Sequence, residues 1–215
     1  ITFDGGLATI GNGTNPGTVT LAGTIQTSGD RMDIGAVTLA ADTTLDTGNA
    51  AAGILNVGAV TSGTNALTLD SGSTGGATIG LTSFADATGG LTITDAGGLA
   101  TIGAVGSGTA GNVTITNSQA GVTFSSTVDA GTLSITDTAD NQDVTFAGDV
   151  NAVTLTTTAN AYDLIFQEDV TVTNDVTFAA IRNLDIGDGP DVATFNGGLD
   201  TQAATGTVTL AGTIQ

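Results

Sequence analysis

The densest group of reactive side chains is Asp185-Ile186-Gly187-Asp188-Gly189-Pro190-Asp191. Three carboxylates on a glycine-rich loop offer the hard oxygen ligands that Ca2+ takes. Asp185, Asp188 and Asp191 are therefore the candidate metal ligands. The same string also reads as a solvated turn, because Asp side chains bond back to the nearby backbone. Asp137, Asp140 and Asp143 form a second, looser group with the same two readings. The repeated nonapeptide GGxGxDxUx of Ca2+-binding β-rolls is missing, and no cofactor other than Ca2+ is expected.

Catalysis has little to draw on. The sequence holds no His and no Cys, and its two basic residues are Arg31 and Arg182. A His relay, a thiol nucleophile and a Lys base are all excluded. Polysaccharide-cleaving β-helix enzymes similar to polygalacturonase carry an adjacent Asp pair with His, Arg and Lys, and this chain has no Asp-Asp dipeptide. The expectation is a protein that is not an enzyme.

Charge narrows the partners further. Twenty-one acidic residues give a net charge of −19. That opposes binding to nucleic acid, which needs a cationic face, and to anionic lipid surfaces. Without cysteine there are no disulfides. No apolar run is long enough to span a bilayer, and 4% aromatic content is too little for the girdles of an outer-membrane barrel. No membrane insertion is expected.

The elements that must position these residues are short strands of the form apolar-Thr-apolar. Val19-Thr20-Leu21, Val37-Thr38-Leu39, Leu67-Thr68-Leu69, Leu91-Thr92-Ile93, Val113-Thr114-Ile115, Val122-Thr123-Phe124 and Val144-Thr145-Phe146 are examples, and Val153-Thr154-Leu155 is read the same way. Alternation of period two puts the aliphatic residues on one face and Thr on the other. Helical spacing of apolar residues is absent. A second element follows many strands: a bulky residue, three small or polar ones, then an aliphatic. It runs from Phe3 to Leu7, Leu21 to Ile25, Phe124 to Val128, Phe146 to Val150, Phe166 to Val170, Phe195 to Leu199 and Leu210 to Ile214. It reads as a strand, a tight corner and a new strand pointing back into the same core.

Like elements recur about every 20 residues. Val113, Leu133 and Val153 are 20 apart, and Phe124, Phe146 and Phe166 are 22 and 20 apart. That is the coil length of a parallel β-helix. The expectation is an all-β chain, a right-handed parallel β-helix (β-solenoid) of about 20 residues per coil and about ten coils. The alternative is a string of β-sandwich domains. Phe124, Phe146 and Phe166 are expected to stack inside the core.

Longer repeats are superimposed on the coils. GGLATIG stands at 5–11 and again at 97–103. TFDGGL at 2–7 returns as TFNGGL at 194–199, and GTVTLAGTIQ at 17–26 returns unchanged at 206–215. The offsets are 192 and 189, so one copy lacks three residues in the loop between the two blocks. A chain that restarts its own sequence is expected of tandem duplication. Residues 1–215 therefore read as one continuous solenoid segment, about one 190-residue unit of a longer array, with Thr-Ser-Gly-Asp or a close variant expected after Gln215.

These glycine-, Thr- and Asp-rich coils, with the GGLATIG strings and the VTLAGTI block, resemble the repetitive shaft of filamentous-haemagglutinin-like exoproteins and autotransporter-type bacterial surface adhesins. The resemblance implies a secreted, extracellular or cell-surface fibre segment acting as a rigid stalk, sheath or filament. It also implies partners among neighbouring repeats, other fibres and host or cell-surface glycans. No functional residue of that family maps onto a position here. Two alternatives remain: a carbohydrate-binding or carbohydrate-cleaving β-helix, and a subunit that polymerises end to end without covalent joints.

Overall fold

The computed structural model describes residues 1–10, 17–85, 88–106, 111–179 and 181–215. Their regular structure is all β, with no helix. Every paired strand runs parallel to its neighbour. The chain winds as a β-solenoid of about nine turns, roughly 22 residues each.

Each coil lays strands on three sides in the same order. One coil runs from Leu91–Asp95 on the first side to residues 100–102 on the second and Val105 on the third. It then returns to Val113–Ile115, directly above Leu91 to Ile93. The second side is the most regular. It starts at Leu7–Ala8 and Met32–Ile34 and climbs rung by rung through Val122–Phe124, Asp143–Phe146, Asp163–Phe166 and Asn183–Ile186 to Val208–Leu210. Ten strands with nine intervals account for both the expected number of layers and the observed number of turns.

The coil length differs from a strict 20 because the loops absorb the variation. Val19 lies beside Val37, a step of 18, while Leu7 lies beside Met32, a step of 25. Side-chain stacking holds the strands in register and leaves the corners free to grow. Leu133, expected beneath Val153, pairs instead with Leu155. Residues 150–157 form one bent strand, and Val153 faces outward at 49% exposure.

Inside, identical or similar side chains lie on top of one another. The inner row of the second side reads Ile34, Val57, Leu81, Ile102, Phe124, Phe146, Phe166 and Ile186, all buried. The three rings stack as expected, with centroids 4.9 and 5.1 Å apart and planes within 6° and 10°. The parallel strand spacing of roughly 4.8 Å imposes that offset. At the corner between the second and third sides, Gly103 has no room for a side chain, because a Cβ there would sit 1.8 Å from the Thr82 carbonyl oxygen.

Phe146→Ala is expected to destabilise the protein by about 3–5 kcal/mol in denaturant unfolding, since it leaves a cavity between two rings. Phe146→Leu should cost less. Equal stability of wild type and Phe146→Ala would contradict the stacked core.

Candidate functional site

The most organised polar feature lies where the first side ends. Three coils carry closely similar strings here, Leu45-Asp46-Thr47-Gly48, Leu69-Asp70-Ser71-Gly72 and Thr94-Asp95-Ala96-Gly97. In the first two, Leu points inward, Asp outward, and the Thr or Ser hydroxyl inward again. That hydroxyl is buried and closes its own loop, Thr47 Oγ1 donating to the Gly53 carbonyl (2.5 Å) and Ser71 Oγ to that of Ala77 (2.7 Å). The glycine N–H then donates back to the Asp, from Gly48 to Asp46 Oδ1 (2.7 Å) and from Gly72 to Asp70 Oδ1 (2.8 Å). Thr94 is an extra residue in its strand, and the bulge it makes keeps Asp95 in line with Asp70.

Register therefore stacks Gln26, Asp46, Asp70 and Asp95 in one outward row. Amides close both ends. Gln26 Nε2 donates to Asp46 Oδ2 (2.5 Å), and Asn117 Nδ2 to Asp95 Oδ1 (2.6 Å). Burial pushes the Asp70 carboxyl above its ordinary value. The Gly72 N–H partly opposes that shift, while the Asp46 and Asp95 carboxylates reinforce it. The row borders an open hollow of about 300 Å3 lined by Asp46, Asn49, Asp70, Ser73, Asp95 and two glycines. Its carboxylate oxygens offer hydrogen-bond acceptors. A second hollow, about 420 Å3, lies on the second side where Gly80 stands between Asn56 and Thr101 in the outward row.

The residues singled out from the sequence are placed differently. Asp185 faces outward on the second side, between Ile165 and Thr209. Asp188 is exposed in the following corner. Asp191 Oδ2 accepts the N–H groups of Asp188 (2.9 Å) and Gly189 (3.2 Å) and so closes the loop on itself. Asp143 lies at a strand start beside Asp163. Among the described residues, no group of three or more His, Cys, Asp or Glu is placed to hold a metal ion. Asn12-Gly13-Thr14 and Asn112-Val113-Thr114 match the short N-glycosylation pattern, which arises often by chance; Asn112 Oδ1 accepts the Thr132 N–H (3.1 Å), and the string at Asn12 lies outside the described residues.

Both arginines are committed to carboxylates. Arg182 grips Asp163 with two nitrogens (2.6 and 2.5 Å) and reaches Asn141 Oδ1 with a third (2.8 Å), tying successive coils together. Burial alone would raise the Asp163 carboxyl, but Arg182 and Asn183 outweigh it and hold it below the ordinary range. Arg31 lies 2.5 Å from Asp33, which also accepts from Asn56 at 2.8 Å.

No family model, curated protein or solved structure matches this chain.

The acid row escaped sequence reasoning because coil lengths of 24 and 25 hid it behind an assumed period of 20. Its signal was Asp-(Thr/Ser/Ala)-Gly, which recurs at 46–48, 70–72 and 95–97 and once more, outside the row, at 129–131.

Asp70 and Asp163 should respond to pH in opposite directions. A raised carboxyl binds its proton more readily folded than unfolded, so its ionisation opposes folding above the ordinary range. Asp70→Asn keeps the acceptor for Gly72 and is expected to raise Tm at neutral pH by about 1–3 °C. The gain should fade as pH falls into the carboxylate range. Asp163 is lowered, so its stabilisation is present above its unfolded pKa and is lost as pH falls through its folded one. Asp163→Asn should lower Tm at neutral pH, and the difference should vanish in acid. Thermal melts across pH read both.

Proposed function

We propose that this chain is a rigid segment of a giant repetitive extracellular or cell-surface fibre of the bacterial adhesin type, secreted and without catalytic activity. One observation carries the reading. The blocks that repeat in sequence also repeat as structure. Thr2 lies beside Gln26 in the first copy. Their counterparts, Thr194 and Gln215, lie together in the second. There Ala193 pairs with Ile214, and Gln215 Nε2 donates to Thr194 Oγ1 (3.2 Å). The three-residue difference falls between the two matching blocks in sequence, away from the paired residues, so the pairing survives it. A unit copied with its pairing intact can be copied many times, since each coil needs only its neighbours.

The mechanism is mechanical. Backbone hydrogen bonds run from coil to coil along the axis, and the apolar stack excludes water from them. The partners are neighbouring repeats and the flanks of other rods. The outward Asp and Thr rows provide acceptors for glycan hydroxyls, which is how a carbohydrate-binding role would work. No aromatic side chain lines either hollow, so sugar-ring stacking has no platform there. Ca2+ at Asp185, Asp188 and Asp191 is not required by this reading, because Asp191 already has its partners.

Immunoblotting of surface and supernatant fractions under denaturing conditions tests the proposal. The expected species is far larger than 20.7 kDa, accessible to protease on intact cells. A band at that mass would favour a subunit that polymerises without covalent joints. Absence from the surface would remove the fibre role, and glycan-array binding by the isolated chain would favour the carbohydrate reading.

A further inference from the structure

The two copies of the repeated sequence occupy different sides of the solenoid. In the first copy Thr2–Phe3 is on the first side, Leu7–Ala8 on the second, and Val19 to Leu21 on the third. In the second copy the equivalent of Phe3 is Phe195, on the third side beside Val172. The equivalent of Leu7 is Leu199, on the first side beside Val176. The equivalent of Val19 to Leu21 is Val208–Leu210, on the second side beside Leu184 to Ile186. All three blocks are displaced the same way, by one side. Local pairing is nevertheless preserved, as the Thr2–Gln26 and Thr194–Gln215 neighbours show.

We infer that one sequence unit advances nine turns less one side, that is eight and two-thirds turns, so that successive units of the array are rotated by a third of a turn about the fibre axis. This rests on the array reading above and adds a symmetry to it. At roughly 4.8 Å per turn, a unit rises roughly 42 Å. Three units complete a whole number of turns. A feature present once per unit, such as the Asp46–Asp70–Asp95 row, then points in three directions along the fibre, and no single flank collects it. Lateral contacts built on such features radiate from the rod on three sides and do not make a flat ribbon.

The corners make this displacement cheap. The bulky-xxx-aliphatic corner from Phe124 to Val128 joins the second side to the third, Phe195 to Leu199 joins the third to the first, and Phe3 to Leu7 joins the first to the second. One corner sequence serves all three edges. Short-range duplication keeps its side by contrast, for Leu7 and Ala100 share the second side four turns apart.

Whole-turn and displaced registers predict different neighbours, and a chain without cysteine allows clean pairwise tests. Outward positions are replaced by cysteine in pairs and treated with a short bifunctional thiol reagent. The displaced register places Thr171 beside Thr194 and Asp185 beside Thr209. A second copy kept on the sides of the first would place Thr194 beside Thr177, and Thr209 beside Thr171. Thr123 and Thr145, adjacent on the second side, calibrate the reagent. The first two pairs are expected to cross-link like the calibrating pair, about tenfold above the other two. Predominant linkage of Thr177 with Thr194 and of Thr171 with Thr209 would overturn the third-of-a-turn displacement while leaving the array reading to the mass of the surface species. Failure of all four test pairs would overturn it as well.

Discussion

Every rung depends on the coil beneath it for two things at once, backbone hydrogen-bond partners and a matching interior side chain. The parallel spacing of roughly 4.8 Å is close to the thickness of an aliphatic side chain and allows offset stacking of aromatic rings. Phe124, Phe146 and Phe166 exploit that coincidence, and the Leu, Ile and Val of neighbouring rungs do so less visibly. Because few ladder bonds are local, an isolated coil has neither core nor partners. Stability is a property of the stack, approximately a sum over neighbouring pairs.

That constraint acts on rows and says almost nothing about loops. Steps of 18 and 25 residues coexist in one rod because only the strand residues must be superimposed. It is also nearly indifferent to which side a strand occupies. Each side asks for an apolar residue inward and a polar one outward, and each edge accepts the same corner. A sequence block can therefore move from side to side without relearning its contacts. Closed domains offer no such freedom, since each of their elements meets a different set of neighbours.

The same indifference sets what could be read from letters. Strand identity, parallel stacking and the aromatic column follow from Phe recurring at 22 and 20 residues at the end of an apolar-x-Phe strand, Val-Thr-Phe twice and then Leu-Ile-Phe, because those residues obey the row constraint directly. Phase does not follow from letters. Leu7 points inward, whereas Leu99, in the same seven-letter string, is 42% exposed, because its rung is slipped by one residue and Ala100 fills the inward row. Val153 is another case, where the local pattern fits two registers and the bend at residues 150–157 selects one. The acidic loop at 185–191 drew attention through density alone. The row at Asp46, Asp70 and Asp95 is dispersed in sequence and assembled only by coil winding.

Stacking like upon like suits Thr, Val and Phe but not carboxylates, and a rod with 21 acidic residues and two arginines cannot neutralise them with cations. Amides take that place. Asn56 donates to Asp33, Asn117 to Asp95, Asn151 to Asp129 and Asn183 to Asp163, each from one coil to the coil below. Gln26 donates to Asp46 on the coil above it. An amide over a carboxylate supplies a donor without adding charge, at the same roughly 4.8 Å interval that would otherwise set two anions together. Asp70 has carboxylates on both sides in the row, and burial, reinforced by those two neighbours, drives its carboxyl upward. The outward rows of Asn and Asp thus do for the surface what the aliphatic rows do for the interior. They let a highly acidic chain pile coil on coil.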